Sequence, residues 1–105
     1  MALADGQVED VAALLRALGE PSRLRILRAL WEEPATVGAI VEATGMKQAN
    51  VSKQLALLHS AGIVARTRQG TSIIYRIALP VVRDLCALVC QGAAEIALSR
   101  VAGRR

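Results

Sequence analysis

Apolar residues recur at three- and four-residue steps through most of this chain, and one stretch interrupts that period. Val8, Val11, Leu15 and Leu18 mark an amphipathic helix over 8–18, which Gly19 ends. Pro21 suits the first turn of a second helix, where its missing N–H costs nothing. Leu24, Leu27, Leu30 and Trp31 form the buried stripe of that helix, Arg23, Arg25 and Arg28 take its other faces, and Glu33-Pro34 closes it. Thr36 caps a short third helix over 37–43, with Val37, Ile40 and Val41 inward. After the tight turn Thr44-Gly45, a fourth helix spans 47–60 with Val51, Leu55 and Leu58 inward, and Ala61-Gly62 stops it. Two β-rich runs follow, 63–68 and 73–77, joined by Gln69-Gly70-Thr71-Ser72, which reads as a hairpin with Gly70 at its tip. Pro80 opens a last helix over 80–99 with the stripe Val82, Leu85, Val89, Gly92 and Ile96, and the closing Gly-Arg-Arg reads as frayed.

The order is α-α-α-α-β-β-α, mainly α with one β-hairpin. Helices three and four form a helix-turn-helix over 36–60, and the hairpin over 63–77 is a wing beside it. A length of 105 residues allows one domain, 1–105, with an ordered core over 8–99. Aromatic residues are 2% of the chain, so its core is Leu, Val, Ile and Ala, which favours packed helices. A domain this short buries a modest share of its surface, and a second subunit would help it. The apolar run LCALVCQGAA (85–94) is about half the ~20 residues that cross a bilayer, so no membrane span is expected. MALADGQVED at the N-terminus is acidic and unlike a secretory signal. A cytoplasmic protein is expected, and its two cysteines are then thiols rather than a disulfide.

Charge changes the picture at one place. The net charge of +4 is a weak pointer to nucleic acid. The stretch GMKQANVSKQLALLHSAG (45–62) is more specific: it carries no acid, and its N-terminal half is polar. Lys47, Gln48, Asn50, Ser52, Lys53 and Gln54 crowd the first two turns of a helix whose other side is apolar. A helix entering the major groove needs this division, with Gln and Asn able to pair with adenine and Lys and Ser reaching phosphates or base edges. An ordinary solvated helix face shares the polarity. The hairpin weighs against that plainer reading, because Arg66, Arg68, Gln69, Thr71 and Arg76 surround one glycine tip, and such a ribbon grips flanking backbone or the minor groove. Together they point to double-stranded DNA. A protein-docking winged helix without DNA binding is the alternative, and acidic residues within 47–54, which are absent, would favour it. An enzyme is not expected: there is no nucleophile–base pair, no Gly-rich phosphate loop and one isolated His59 at the fourth helix's end.

ALGEPSRLRIL (17–27), TGMKQANVSKQLALLHSAGIV (44–64) and ARTRQGTSIIYRI (65–77) resemble, in order, the ArsR/SmtB winged-helix repressors of bacteria. The resemblance covers residues 11–90. Members of that family usually carry His where this chain has Gln54. The resemblance implies a homodimer that represses its own operon until an inducer binds. It also implies a seam formed by the first and last helices, 8–18 and 80–99, which places Val11, Leu15, Leu85, Val89 and Ile96 at the interface. A two-fold dimer presents two recognition helices, so its operator should be an inverted repeat.

Cys86 and Cys90 lie four residues apart on the last helix, on the shoulder of the Leu85/Val89 stripe. Arg83, one turn earlier, is placed to favour thiolate. One reading makes them small apolar fillers. The other makes them a sensor of As(III) or Sb(III), of oxidants or persulfide, or of zinc. The family's arsenic site on the third helix, a Cys-Val-Cys-like run, has no counterpart in Thr36-Val37-Gly38-Ala39-Ile40-Val41. Asp84-x-Cys86 resembles the first half of the family's zinc site, but the second half falls near Ala97 and Arg100, which do not bind zinc, so zinc is not expected. No other cofactor is implied.

Overall fold

The computed structural model describes residues 3–103. Arg104 and Arg105, where a frayed tail is expected, lie outside them. Helix α1 runs Asp5–Leu18, three residues earlier than its apolar stripe, because Gln7 turns back and accepts the Ala4 N–H at 3.0 Å. Helix α2 is Pro21–Ala29. Proline at its start and Glu20, whose carboxylate accepts the Arg23 N–H at 3.1 Å, explain where it begins. It ends at Leu30, short of the expected Glu33-Pro34.

The stripe of α2 also needs correcting. Ile26, Leu27 and Leu30 are fully buried, Trp31 is half-buried and Leu24 is 44% exposed, so the buried face is rotated toward Ile26. Leu24 instead faces the groove between α2 and the last helix, beside Cys86 and Cys90.

Strand β1, Ala35–Thr36, is an element that periodicity does not announce. It joins the hairpin strands β2 (Val64–Gln69) and β3 (Ser72–Ile77) in an antiparallel sheet of order β1-β3-β2, with Ala35 opposite Tyr75 and Thr36 opposite Ile74. Thr36 also caps α3 (Val37–Thr44), its hydroxyl accepting the Ala39 N–H at 3.1 Å. Gly45 ends α3 at φ 70°, a left-handed conformation that glycine adopts without penalty. Thr44 locks the same turn, donating to the Ile40 carbonyl at 2.8 Å and accepting from Met46 N–H at 3.2 Å.

Helix α4 is Gln48–Ser60, and Val51, Leu55 and Leu58 are fully buried as their spacing predicts. They meet Ile26, Leu27, Leu30, Ile40, Ile63 and Val82 in one core. The chain passes from α4 into β2 through a turn closed by Ile63 N–H on the Leu58 carbonyl at 3.0 Å. In the wing, Gly70 opens a two-residue loop at φ 63°, which suits strands with a right-handed twist.

Helix α5 runs Pro80–Ala102, three residues beyond the expected 80–99. Val82 is fully buried, and Leu85 and Cys86 pack on the core. Beyond them the helix projects. Val89, Ile96 and Leu98 are 58%, 56% and 71% exposed in the single chain. The apolar stretch is longer than the run 85–94 suggests: at 23 residues, with a window of mean hydropathy 1.4, α5 is long and apolar enough to cross a membrane by length and composition alone.

Candidate nucleic-acid interface

Helix α4 is held by its apolar stripe, so its remaining faces are set by geometry. Lys47, at the N-cap, and Gln48, Ala49, Ser52 and Lys53 are exposed, and Asn50 is half-buried. These residues stay together at the helix N-terminus, where unpaired backbone N–H groups favour a phosphate.

Gln54 is the exception among the residues expected to reach DNA. It is 8% exposed and points into the fold, three residues after Val51 and four before Leu58, which puts it on the shoulder of the buried stripe. Its Oε1 accepts Arg23 Nη1 at 3.0 Å and its Nε2 donates to Asn50 Oδ1 at 3.1 Å. Both ends of the amide are thus used inside the protein, and a base-reading role for Gln54 is corrected.

Arg23 is a residue that motif reading passes over. Its Nε donates to the Ala17 carbonyl at 2.6 Å and its Nη2 to the Arg16 carbonyl at 3.1 Å, which also accepts the Gly19 N–H at 3.3 Å. One guanidinium therefore joins α1, α2 and α4. The signal for it in sequence is indirect: a polar residue on the Gln54 shoulder demands a buried partner.

The wing separates its cations onto two faces. Val64 lies opposite Ile77, Arg66 opposite Tyr75 and Arg68 opposite Ile73, so Arg66 and Arg68 share the face of Tyr75. Arg76 is on the other face and donates to the Thr67 hydroxyl at 3.2 Å. Arg66, Arg68, Gln69 and Thr71 around the tip are all exposed, and Arg76 is exposed on the face opposite Arg66 and Arg68, which Gln69 shares.

Cys86 is half-buried and Cys90 exposed, and neither is in a disulfide. Both line a cavity of about 340 Å³ with Leu24, Leu27, Arg28, Trp31 and Ala87. They also line a neighbouring one of about 420 Å³ that reaches Leu15, Leu18 and Val89. Burial pushes the Cys86 thiol up, away from thiolate. Arg83 does not reverse this. It donates through Nη1 to the Trp31 carbonyl and stacks 5.3 Å from the Trp31 ring centroid, so its charge serves the α2–α5 junction. Among the described residues, no three His, Cys, Asp or Glu side chains gather to hold a metal ion.

The sequence profile described as bacterial regulatory protein, arsR family, matches residues 20–66, which span α2 to the start of the wing. An uncharacterized HTH-type transcriptional regulator of Mycobacterium tuberculosis H37Rv, Rv0081, is 37% identical over 92 residues, 87% of this chain and 81% of the relative. The crystal structure of M. tuberculosis Rv0081 superposes with a TM-score of 0.84 over 93% of this chain and 99% of that one, at 33% identity. The homodimeric winged helix-turn-helix DNA-binding domain of Mb0332 from Mycobacterium bovis, solved by NMR, has a TM-score of 0.78 and 38% identity over 90% of this chain and 91% of that one. The HTH-type transcriptional repressor SmtB of M. tuberculosis is 40% identical over 73 residues, 69% of this chain and 54% of the relative.

Proposed function

Because this chain belongs to the arsR family of bacterial regulatory proteins, DNA-binding transcriptional regulators and not enzymes, we propose that it is a repressor acting as a two-fold dimer on an inverted repeat. In this reading α4 enters the major groove and presents Lys47, Gln48, Asn50, Ser52 and Lys53, while Arg66, Arg68, Gln69 and Thr71 grip the flanking backbone or minor groove. The observation that carries it is the acid-free, exposed N-terminal half of α4, anchored from behind by Val51, Leu55 and Leu58.

The dimer reading rests on the exposed apolar faces of α1 and α5. Val11 and Leu15 are exposed on α1, Val89 and Ile96 on α5, and Leu85 sits at the inner edge of that surface. A second copy burying these faces also accounts for the membrane-like composition of α5. The Mb0332 domain is a homodimer, which supports a dimeric state.

The test is a titration of duplex DNA from the chain's own promoter, against a scrambled duplex, followed by anisotropy. Specific affinity should fall ~10³-fold or more between about 50 and about 200 mM salt if six or more phosphates are neutralised. Gln48→Ala should weaken specific binding more than non-specific binding. Equal affinity for both duplexes at every salt, or a monomer by light scattering, would end this reading.

The inducer in this reading is a thiol-reactive species, an arsenic or antimony compound or a reactive sulfur or oxidant, acting at Cys86 and Cys90. The shared cavity beside Trp31 supports it. The burial of Cys86 favours the second reading, in which that cysteine is an apolar filler. Arsenite, a persulfide donor and zinc, each added to the protein–DNA complex, separate the two. Release by arsenite or the donor, lost in Cys86→Ser/Cys90→Ser, supports sensing; no release by any of them supports the filler.

A further inference from the structure

An arginine guanidinium has donors and no acceptor, so an amide packed against it must turn its oxygen toward it. Arg23 thereby orients Gln54: Oε1 accepts from Nη1 at 3.0 Å, and the Nε2 end is left to donate to Asn50 Oδ1 at 3.1 Å. Asn50 in turn has its oxygen drawn toward Gln54 and its Nδ2 on the far side. Among the described residues Nδ2 has no protein partner, and no side-chain nitrogen or oxygen is buried without one, so this amino group opens to solvent. Reversing the Gln54 amide would set its donor against Arg23, and at 8% exposure water is poorly placed to repair the clash. The three side chains form a one-way relay whose polarity is dictated at its buried end.

We infer that this relay makes Asn50 a specificity-determining residue that offers DNA a hydrogen-bond donor alone, selecting a base edge that carries an acceptor: guanine O6 or N7, or thymine O4. The inference rests on α4 occupying the major groove as proposed above. It departs from the paired Asn–adenine contact, which needs the oxygen and the amino group of one amide turned to the base together. Here the oxygen faces the protein. Adenine sets an amino donor beside its N7, and cytosine offers only its N4 donor, so neither matches a lone donor as well.

Gln54→Glu reverses the relay without emptying it. One carboxylate oxygen still faces Arg23, and the other stands where Nε2 stood. Asn50 must then turn its amino group inward and its oxygen outward. Duplexes with randomised half-sites are selected on wild-type protein, Gln54→Glu and Asn50→Ala, and the bound pools sequenced. Wild type should enrich guanine or thymine at one position of each half-site about fivefold over adenine or cytosine, the scale of one net hydrogen bond. Asn50→Ala should flatten that position alone, and Gln54→Glu should move it to adenine or cytosine.

Selection of adenine by wild type at the position Asn50→Ala flattens overturns the inference, as does a preference that Gln54→Glu leaves unchanged. A wild-type pool with no enrichment anywhere removes the major-groove reading itself, and the inference with it. Side-chain amide NMR on the free protein gives an answer even where Gln54→Glu fails to fold. The Gln54 amide protons should be protected from exchange with water and those of Asn50 exposed; the opposite order refutes the relay.

Discussion

Replacing Arg23 by methionine keeps the aliphatic stem and removes the guanidinium that joins α1, α2 and α4. The cap at the start of α2 survives, because Glu20 accepts the backbone N–H of Arg23 and not its side chain. Three side-chain bonds are lost. The one to the Arg16 carbonyl is exposed and contributes little. The part-buried bond to the Ala17 carbonyl, at 2.6 Å, is charge-assisted and contributes about 1.5 kcal/mol. The third leaves Gln54 Oε1 without a partner at a site 8% exposed, costing a further ~1–3 kcal/mol. The sum is about 2.5–4.5 kcal/mol, of which the orphaned amide supplies about half. Gln54→Leu removes that amide, so in the double variant the third cost disappears and the two changes together should cost ~1–2 kcal/mol less than their separate sum. Urea unfolding of all four proteins at one protomer concentration measures this, since the proposed dimer would make stability concentration-dependent. A single-variant cost below about 0.5 kcal/mol, or additivity within about 0.5 kcal/mol, would refute the reasoning.

Gly45→Ala should cost about 1–2 kcal/mol, because Gly45 sits at φ 70° while an added Cβ meets nothing within 4 Å; the penalty is conformational, and Gly45→Asn should cost less by the same unfolding assay. Partial desolvation raises the Glu20 carboxyl, but the backbone N–H groups of Ser22 and Arg23 and the Arg23 charge outweigh it and hold the group below the usual carboxylate range. A depressed folded-state value means that the cap stabilises above the ordinary range and is lost as pH falls through the lowered value, so the Tm gap between wild type and Glu20→Gln should close between about pH 6 and pH 3. A gap that stays constant over that range would show that the cap is not ionic. Burial raises the Cys86 thiol, so at pH 8 iodoacetamide should modify Cys90 first, and Cys86 should lag until the pH rises well past the usual thiol range. Intact-mass time courses on Cys86→Ser and Cys90→Ser measure each thiol alone, and equal rates would mean that Cys86 is as open as Cys90.

What the sequence made legible is what a single element encodes in its own periodicity. Val51, Leu55 and Leu58 place α4, and with them the exposed Lys47, Gln48, Ser52 and Lys53, because a stripe at helical spacing leaves only one side for the polar residues. The wing is legible for the same reason, since Gly70 between two β-rich runs specifies both the turn and the register. Failures come where a residue's surroundings belong to another element. Strand β1 exists only because β3 offers Ala35 and Thr36 a ladder, and two residues have no period of their own. Leu24 reads as core by its letter and is outside because the buried face of α2 packs on α3 and α4, which places Ile26 and not Leu24 in the core. Arg83 reads as an activator of the neighbouring thiols, yet its actual partner, Trp31, is 52 residues away in the chain. Gln54 is the instructive case. Its spacing from Val51 and Leu58 already puts it on the shoulder of the buried stripe, so periodicity argued for burial while residue type argued for DNA. Geometry prevails over residue type because an amide on that shoulder is buried whatever it is suited to read. The remaining question is then which partner satisfies it, and Arg23, on a different helix, supplies the answer.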